Sequence, residues 1–245
     1  MSPTKTLATS ARVLRQLSHD HRTLAMLFVL PLLLLGLLSW IYSATPQMFD
    51  LIGPALLGVF PLIVMFLVTS IATLRERRLG TLERLMAMPV GKLDIILGYA
   101  GSFGLLAILQ AVLVSTVAVR LYGLDVAGPV WFLVIVAVAN ALLGTMLGLL
   151  ASAFAASEFQ AVQFMPAFVL PQFLLCGLLV PVAQLPSALE LVANCLPLTY
   201  AVEAMTLVSR NPALTSEMVT DVAVVAAFAI AALLLGAATL RRRTK

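Results

Sequence analysis

Residues 74–94 read LRERRLGTLERLMAMPVGKLD. Eight charges stand in this stretch, Arg75, Glu76, Arg77, Arg78, Glu83, Arg84, Lys92 and Asp94, although charged residues make up only 11% of the chain. Long apolar runs flank it on both sides. A charge at the centre of a bilayer costs about 3 kcal/mol on insertion scales, so the stretch has to face water or a soluble partner. The flanking runs then become candidates for membrane crossing.

Composition supports that division. Of the 245 residues 62% are hydrophobic, with a mean hydropathy of +1.08, whereas a soluble domain is about half apolar and about a quarter charged. No polar run is long enough to fold as a separate water-soluble domain, and residues 1–245 read as one transmembrane domain. The first 22 residues are too polar for a cleavable signal peptide.

Within that leader, Leu7, Ala11, Leu14 and Leu17 are expected on one helical face, with Arg12 and Arg15 turned away. Such a helix suits the inner headgroup layer; a plain solvated leader is the alternative. Thr23 to Tyr42 gives 20 residues without a charge, enough for one crossing at 1.5 Å per residue. Leu51 to Leu74 is a second span, with Asp50 placed to cap it and Pro54 in its first turns. A third runs from about Ile95 to Val119, and a fourth from near Pro129–Trp131 to Phe154.

The fourth span repeats small residues at intervals of three or four: Ala137, Ala141, Gly144, Gly148 and Ser152, with Asn140 beside them. In lipid such a face lets helices approach closely, and an interhelical amide bond adds about 0.6–2 kcal/mol. It reads as a packing seam, with contact between Asn140 and a substrate as the alternative. Glu158 to Glu190 holds the fifth span, interrupted by Pro166, Pro171, Pro181 and Pro186. Leu191 to Val202 is too short to cross and is divided by Pro197, so residues 180–203 are expected as an outer re-entrant or surface-lying hairpin. Glu203, Arg210 and Glu217 fall in a last outer loop, and Val222 to Leu240 is the sixth span.

With six spans and both ends inside, 13 of the 15 Lys and Arg are cytosolic, as the positive-inside bias requires. The fold expected is therefore all-α, with six transmembrane helices, an N-terminal interfacial helix (1–22), a cytosolic segment (74–94) and the outer hairpin.

Catalytic and metal signatures are missing. There is no H-E-x-x-H helix, and His19 and His21 have no third histidine. Gly91-Lys92 is not a phosphate loop, because Met86 stands where glycine is needed and Leu93 where Ser or Thr is needed. No buried acid is expected, every charge being assignable to a loop or helix end, which argues against a proton-driven carrier. Cys176 and Cys195 fit neither a disulfide framework nor a zinc site. They read as small apolar fillers, with a single bridge left open.

In the charged stretch, Gly80 can end the second span in a left-handed conformation and Thr81 can cap a short helix with Glu83 in its first turn. Leu79, Leu82, Leu85 and Met86 share its apolar face, and Pro89-Val90-Gly91 turns the chain back. Five basic and three acidic residues suit a protein groove better than an anionic lipid surface.

At these residues the chain resembles the permease subunits of type 2 ABC exporters, in particular the daunorubicin-resistance and nodulation-exporter group. The match runs from Arg75-Glu76-Arg77 through Gly80-Thr81-Leu82-Glu83-Arg84-Leu85 to Pro89-Val90. A second match covers Gly177, Pro181, Leu185-Pro186 and Leu196-Pro197-Leu198-Thr199-Tyr200-Ala201, with Glu203-Ala204 following. Leu178-Leu179-Val180 depart from the family, which often has aromatics there.

The resemblance implies that 74–94 is a coupling helix seated in a cleft of a separate ABC ATPase subunit. Arg75, Glu76, Arg77, Gly80, Thr81, Leu82, Glu83 and Arg84 would make that contact. It implies assembly of two permeases, either two copies or two homologues, with two ATPases in the lipid bilayer of a prokaryotic plasma membrane. The outer hairpin, with Gly177, Pro181, Pro186, Pro197 and Tyr200, would form an exit gate. ATP and Mg would bind the partner subunit, with no cofactor or metal on this chain and no nucleic-acid partner. The chain would be a transporter subunit and no enzyme. The expected cargo is a hydrophobic or amphiphilic drug, antibiotic, natural product or lipid-linked molecule. Alternatives are a polysaccharide or glycolipid exporter, an ion-gradient-driven carrier, or a membrane scaffold.

Overall fold

The structure, a computed structural model, describes residues 2–81 and 91–239. Among them every regular element is helical. Helix α1 spans Pro3–His19, α2 His21–Ile41, α3 Pro46–Arg78, α4 Lys92–Arg120 and α5 Val130–Phe154. Helix α6 spans Glu158–Leu175; after a 3-10 turn at Val182–Gln184 come α7 (Ser187–Asn194), α8 (Pro197–Arg210) and α9 (Ser216–Thr239).

Local chemistry accounts for the helix starts. The Asp20 carboxylate accepts the Thr23 N–H at 3.1 Å and the Thr23 hydroxyl at 2.7 Å, capping α2. Ser157 accepts the Gln160 N–H at 3.2 Å while Gln160 Oε1 reaches back to the Ala156 N–H at 2.8 Å, fixing the entry to α6. Pro3, Pro46 and Pro197 open α1, α3 and α8, where a missing N–H costs nothing.

Proline also falls inside the long helices. In α2, Pro31 lacks the N–H that would bond the Leu27 carbonyl four residues earlier. That carbonyl instead accepts the Gln110 amide of α4 at 2.7 Å. A side chain of a neighbouring helix thus repairs the backbone, as it must where water is absent.

The centre of the molecule is the pair α3 and α5, whose Leu57, Met65, Leu133 and Leu143 are fully buried. The small face of α5 makes this possible. A Cβ on Gly144 would lie 2.3 Å from the Leu62 carbonyl oxygen, and one on Gly148 2.6 Å from that of Phe66. Both are backbone atoms that cannot swing aside.

Several sequence expectations are corrected. The second span begins at Pro46 and ends at Arg78, so Asp50 is no cap and Pro54 lies two turns in. Asp50 has another use: its Oδ1 accepts the Asp125 N–H at 2.8 Å and ties α3 to the turn after α4. In α1, Leu7 and Ala11 are exposed, and the packed face is Thr9, Val13 and Leu17. This face wins because α4 offers Gly98 and Ser102, which receive small polar groups. Ser10 donates to the Gly98 carbonyl at 2.8 Å, and Ser102 donates to the Ser10 carbonyl at 3.0 Å. Arg12, expected to point away, turns inward.

On the other side of the molecule, Glu203 and Arg210 belong to α8, and Glu217 opens α9. Asp221, expected in a loop, lies buried in the second turn of α9, and its Oδ2 has no partner. Asn140 is buried, but neither amide atom forms the expected interhelical bond. It faces Gly58 of α3, a residue with no side chain to answer it.

Among the described residues five helices are long and apolar enough to cross a membrane: α2, α3, α4 from Leu93, α5 and α9. Helix α6, 18 residues with Pro166 and Pro171 inside, is not among them. Helices α7 and α8 reach that length only if their 87° bend is counted as one broken span. The chain is thus an all-helical, multi-pass membrane protein with five or six candidate crossings. Cys176 is buried, Cys195 is exposed, and both are free thiols.

Candidate functional site

Successive helical residues point about 100° apart, so three in a row address three directions. The last turns of α3 use this with Arg75, Glu76 and Arg77. Arg75 forms a two-pronged pair with Glu158 of α6, Nε to Oε1 at 2.9 Å and Nη2 to Oε2 at 3.0 Å. Its Nη1 lies 3.9 Å from Asp20 at the start of α2. Arg77 donates to the Ser152 carbonyl at the end of α5.

Glu76 points between these, toward α1 and α4. At 4% exposure its carboxylate needs internal partners. Arg12 Nη2 donates to its Oε2 at 2.8 Å, and the Tyr99 hydroxyl donates to the same oxygen. Arg12 Nη2 also donates to the Tyr99 oxygen at 2.9 Å, closing a triangle of α1, α3 and α4. Burial by itself would make the Arg12 guanidinium easier to deprotonate. The Glu76 and Tyr99 contacts outweigh it, and Arg12 sits above its ordinary value.

Past Arg78 the helix closes. The Leu79 N–H bonds the Arg75 carbonyl at 2.9 Å and the Gly80 N–H the Arg77 carbonyl at 3.2 Å. Gly80 adopts φ +70°, where a side chain would be strained. The Thr81 hydroxyl donates back to the Glu76 carbonyl at 2.8 Å. Leu82, Glu83 and Arg84, together with the short helix and the Pro89-Val90 turn, lie outside the described residues.

The return limb of the stretch, at the start of α4, is tied as well. Asp94 Oδ2 accepts the Gly91 N–H at 3.2 Å, while its Oδ1 accepts the Ser2 N–H at 3.0 Å and the Thr6 hydroxyl at 3.4 Å. The two stems of the charged stretch therefore rest on α1, α2, α4, α5 and α6. Sequence reasoning named Arg75, Glu76 and Arg77 but missed Arg12, Asp20, Tyr99 and Glu158 as their partners. A lone tyrosine five residues past Asp94 in an apolar run was the available signal.

At the far end, the bend between α7 and α8 is held by the Leu196-Pro197-Leu198-Thr199-Tyr200 segment. The Thr199 hydroxyl donates to the Ala193 carbonyl and the Tyr200 hydroxyl to the Asn194 carbonyl, each at 2.7 Å. These are the last carbonyls of α7, and that of Ala193 also accepts the Leu196 N–H at 3.0 Å. The Leu198 N–H reaches Gln172 Oε1 of α6 at 3.4 Å. Gly177 adopts φ +90° just after α6, Pro181 accepts the Gln184 N–H at 2.9 Å, and Pro186 accepts the Leu189 N–H at 2.8 Å. Gly177, Pro181, Pro186, Pro197 and Tyr200 thus lie along one connection, from the end of α6 through the 87° bend between α7 and α8, some distance in sequence from the charged stems.

The ABC-2 type transporter family model matches residues 4–209, from α1 to the end of α8. Over 137 residues the chain is 30% identical to a probable multidrug ABC transporter permease, YbhR, of Escherichia coli (strain K12). That overlap covers 56% of this chain and 37% of the relative, and the protein of that name from E. coli O157:H7 matches equally. The ABC transporter G family member 20 of Dictyostelium discoideum is 26% identical over 156 residues, 64% of this chain and 21% of that protein. In both comparisons the chain matches well under half of the relative's length.

Proposed function

Because the chain belongs to the ABC-2 type transporter family, we propose that it is the membrane subunit of an ATP-driven exporter whose ATPase is a separate chain. One observation carries the coupling assignment. Arg75, Glu76 and Arg77 already have partners on neighbouring helices of this chain, Glu76 in the interior and Arg75 at the surface, so they brace the stems, and the residues beyond Gly80 are left to meet the ATPase. The coupling role thereby narrows to Thr81–Arg84, with Arg75 to Arg77 as their support.

In this reading both termini are cytoplasmic and the protein lies in the plasma membrane. Helix α6 is the fifth crossing, and the bent pair α7 and α8 is a re-entrant lid on the outer side. Two such subunits pair with two ATPases, which hold ATP and Mg²⁺. The apolar spans, and the multidrug description of one relative, favour a hydrophobic or amphiphilic cargo over a free sugar or ion.

The test is charge reversal at Glu83→Lys and Arg84→Glu in the assembled transporter. At least a tenfold loss of ATPase co-purification and of efflux is expected, with unchanged thermal stability of the permease. Full recruitment and efflux in both variants would overturn the docking assignment.

A further inference from the structure

Of the 18 residues of α6, only Ala161, Val169 and Gln172 are buried. Past Pro166 the helix is therefore seated by one valine and one amide, while Phe168, Leu170 and Leu174 stay exposed. Its backbone is weakened at the same place. Pro166 and Pro171 lack the N–H groups that would bond the Val162 and Ala167 carbonyls four residues earlier, and prolines of this kind are where helices bend. Just after the helix, Gly177 at φ +90° gives the chain a second place to turn.

Opposite this segment α8 is firmly placed. It packs on α3 and α9, and its Leu198, Ala201 and Met205 are fully buried. Its first turn lacks a cap of its own: Leu196 at the capping position has no acceptor in its side chain, and Pro197 has no N–H. The first amide that needs a partner is that of Leu198, and Gln172 Oε1 of α6 accepts it at 3.4 Å. Gln172 Nε2 meanwhile donates to the Phe168 carbonyl at 2.9 Å, which fixes the amide with Oε1 toward α8. Gln172 thus does for α8, from another helix, what a capping residue does from within. At 3.4 Å the bond is long, and it yields before the 2.7 Å bonds of Thr199 and Tyr200 that pin α7 to α8. The bend is the fixed seat, and α6 is the part that leaves it. Cys176, four residues past Gln172, is buried in one apolar cluster with Val169 and Leu198, so separation of the two helices uncovers it.

We propose that α6 beyond Pro166 is a hinged flap and that Gln172 is its latch, closing it on the first turn of α8. The structure holds the closed form. Opening breaks the Gln172–Leu198 bond, frees the start of α8 and exposes the Cys176 thiol, without disturbing the α3–α5 pair. The device belongs to this chain alone, so it stands or falls separately from the transport reading.

The test uses the purified full chain in nanodiscs, with N-ethylmaleimide reaction and amide hydrogen exchange read by peptide mass spectrometry. Gln172→Met keeps the length and apolar packing of the side chain but removes both hydrogen bonds. Its Cys176 should react at least tenfold faster than in the unaltered chain, while exposed Cys195 reacts at an unchanged rate. Amides of 198–201 should exchange at least tenfold faster, and those of 57–66 in α3 should not change. Slow reaction of Cys176 in Gln172→Met would overturn the latch and leave the packing of Val169 and Phe173 as what seats α6. Equal acceleration in 57–66 would overturn the hinge, since the whole bundle would then be loosening. If Gln172→Met fails to fold, the unaltered chain decides: on warming, Cys176 reaction and 198–201 exchange should rise together and ahead of 57–66. Separate onsets for the two would overturn the proposal.

Discussion

Gly144 and Gly236 are both helical glycines, yet they should respond in opposite ways to the same change. Alanine in place of glycine favours a helix by about 1 kcal/mol. At Gly236 a new Cβ meets Leu150 Cα at 3.8 Å, an ordinary contact, so Gly236→Ala is expected to be neutral or stabilising. At Gly144 it meets a backbone oxygen at 2.3 Å, and overpacking costs about 1–3 kcal/mol, so Gly144→Ala should destabilise. Thermal unfolding in detergent measures both, and a higher melting temperature for Gly144→Ala would show that α3 can yield. Gly80 imposes a different kind of demand: no atom of the described residues lies within 4 Å of its added Cβ, and its positive φ is what calls for glycine. The small residues of α5 were legible in the sequence because their spacing records a neighbour's backbone. The silence of Asn140 was not legible, since its partner depends on what α3 presents opposite it.

Helix α3 shows where sequence reading fails at its ends. Its charges suggested that the crossing stops at Leu74, because charge normally marks water, whereas Gly80 marked the end of the helix itself, and the helix does run to Arg78 before the positive φ of Gly80. Arg12, Ser152 and Glu158 receive the charges of that extra turn from elements 64 to 83 residues away in sequence. No local pattern announces a partner so distant. The ends of α2 and α4 were legible because each begins or ends close to where an uncharged run does, while α5 lies inside a longer uncharged run and its start was marked by Pro129. The Glu76 contact invites a double-mutant cycle on Arg12→Ala and Glu76→Gln. Arg12 is a third exposed, so solvent screening reduces what the pair contributes. A coupling energy of about 0.5–3 kcal/mol is expected for groups sharing one hydrogen-bond network. Strict additivity of the two losses would show that α1 is held by its Thr9 and Ser10 packing alone.

The molecule as a whole divides into two ends of different chemistry. One carries the stems of the charged stretch, the other the bend between α7 and α8. Which end faces the cytosol is decided by the native thiols. Cys195 is exposed at the bend and Cys176 is buried. If the Lys and Arg bias sets the topology, a membrane-impermeant maleimide should label Cys195 in intact spheroplasts, and Cys195→Ser should abolish that signal. Labelling only after permeabilisation would invert the orientation. The close approach of Gly144 to Leu62 has a mechanical consequence for such a two-ended body. Leu62 lies sixteen residues from Pro46 and sixteen from Arg78, so it divides α3 into two arms of about 24 Å each. A rod pinned at its midpoint is a balance beam: any tilt about that pivot displaces its two tips equally and in opposite senses.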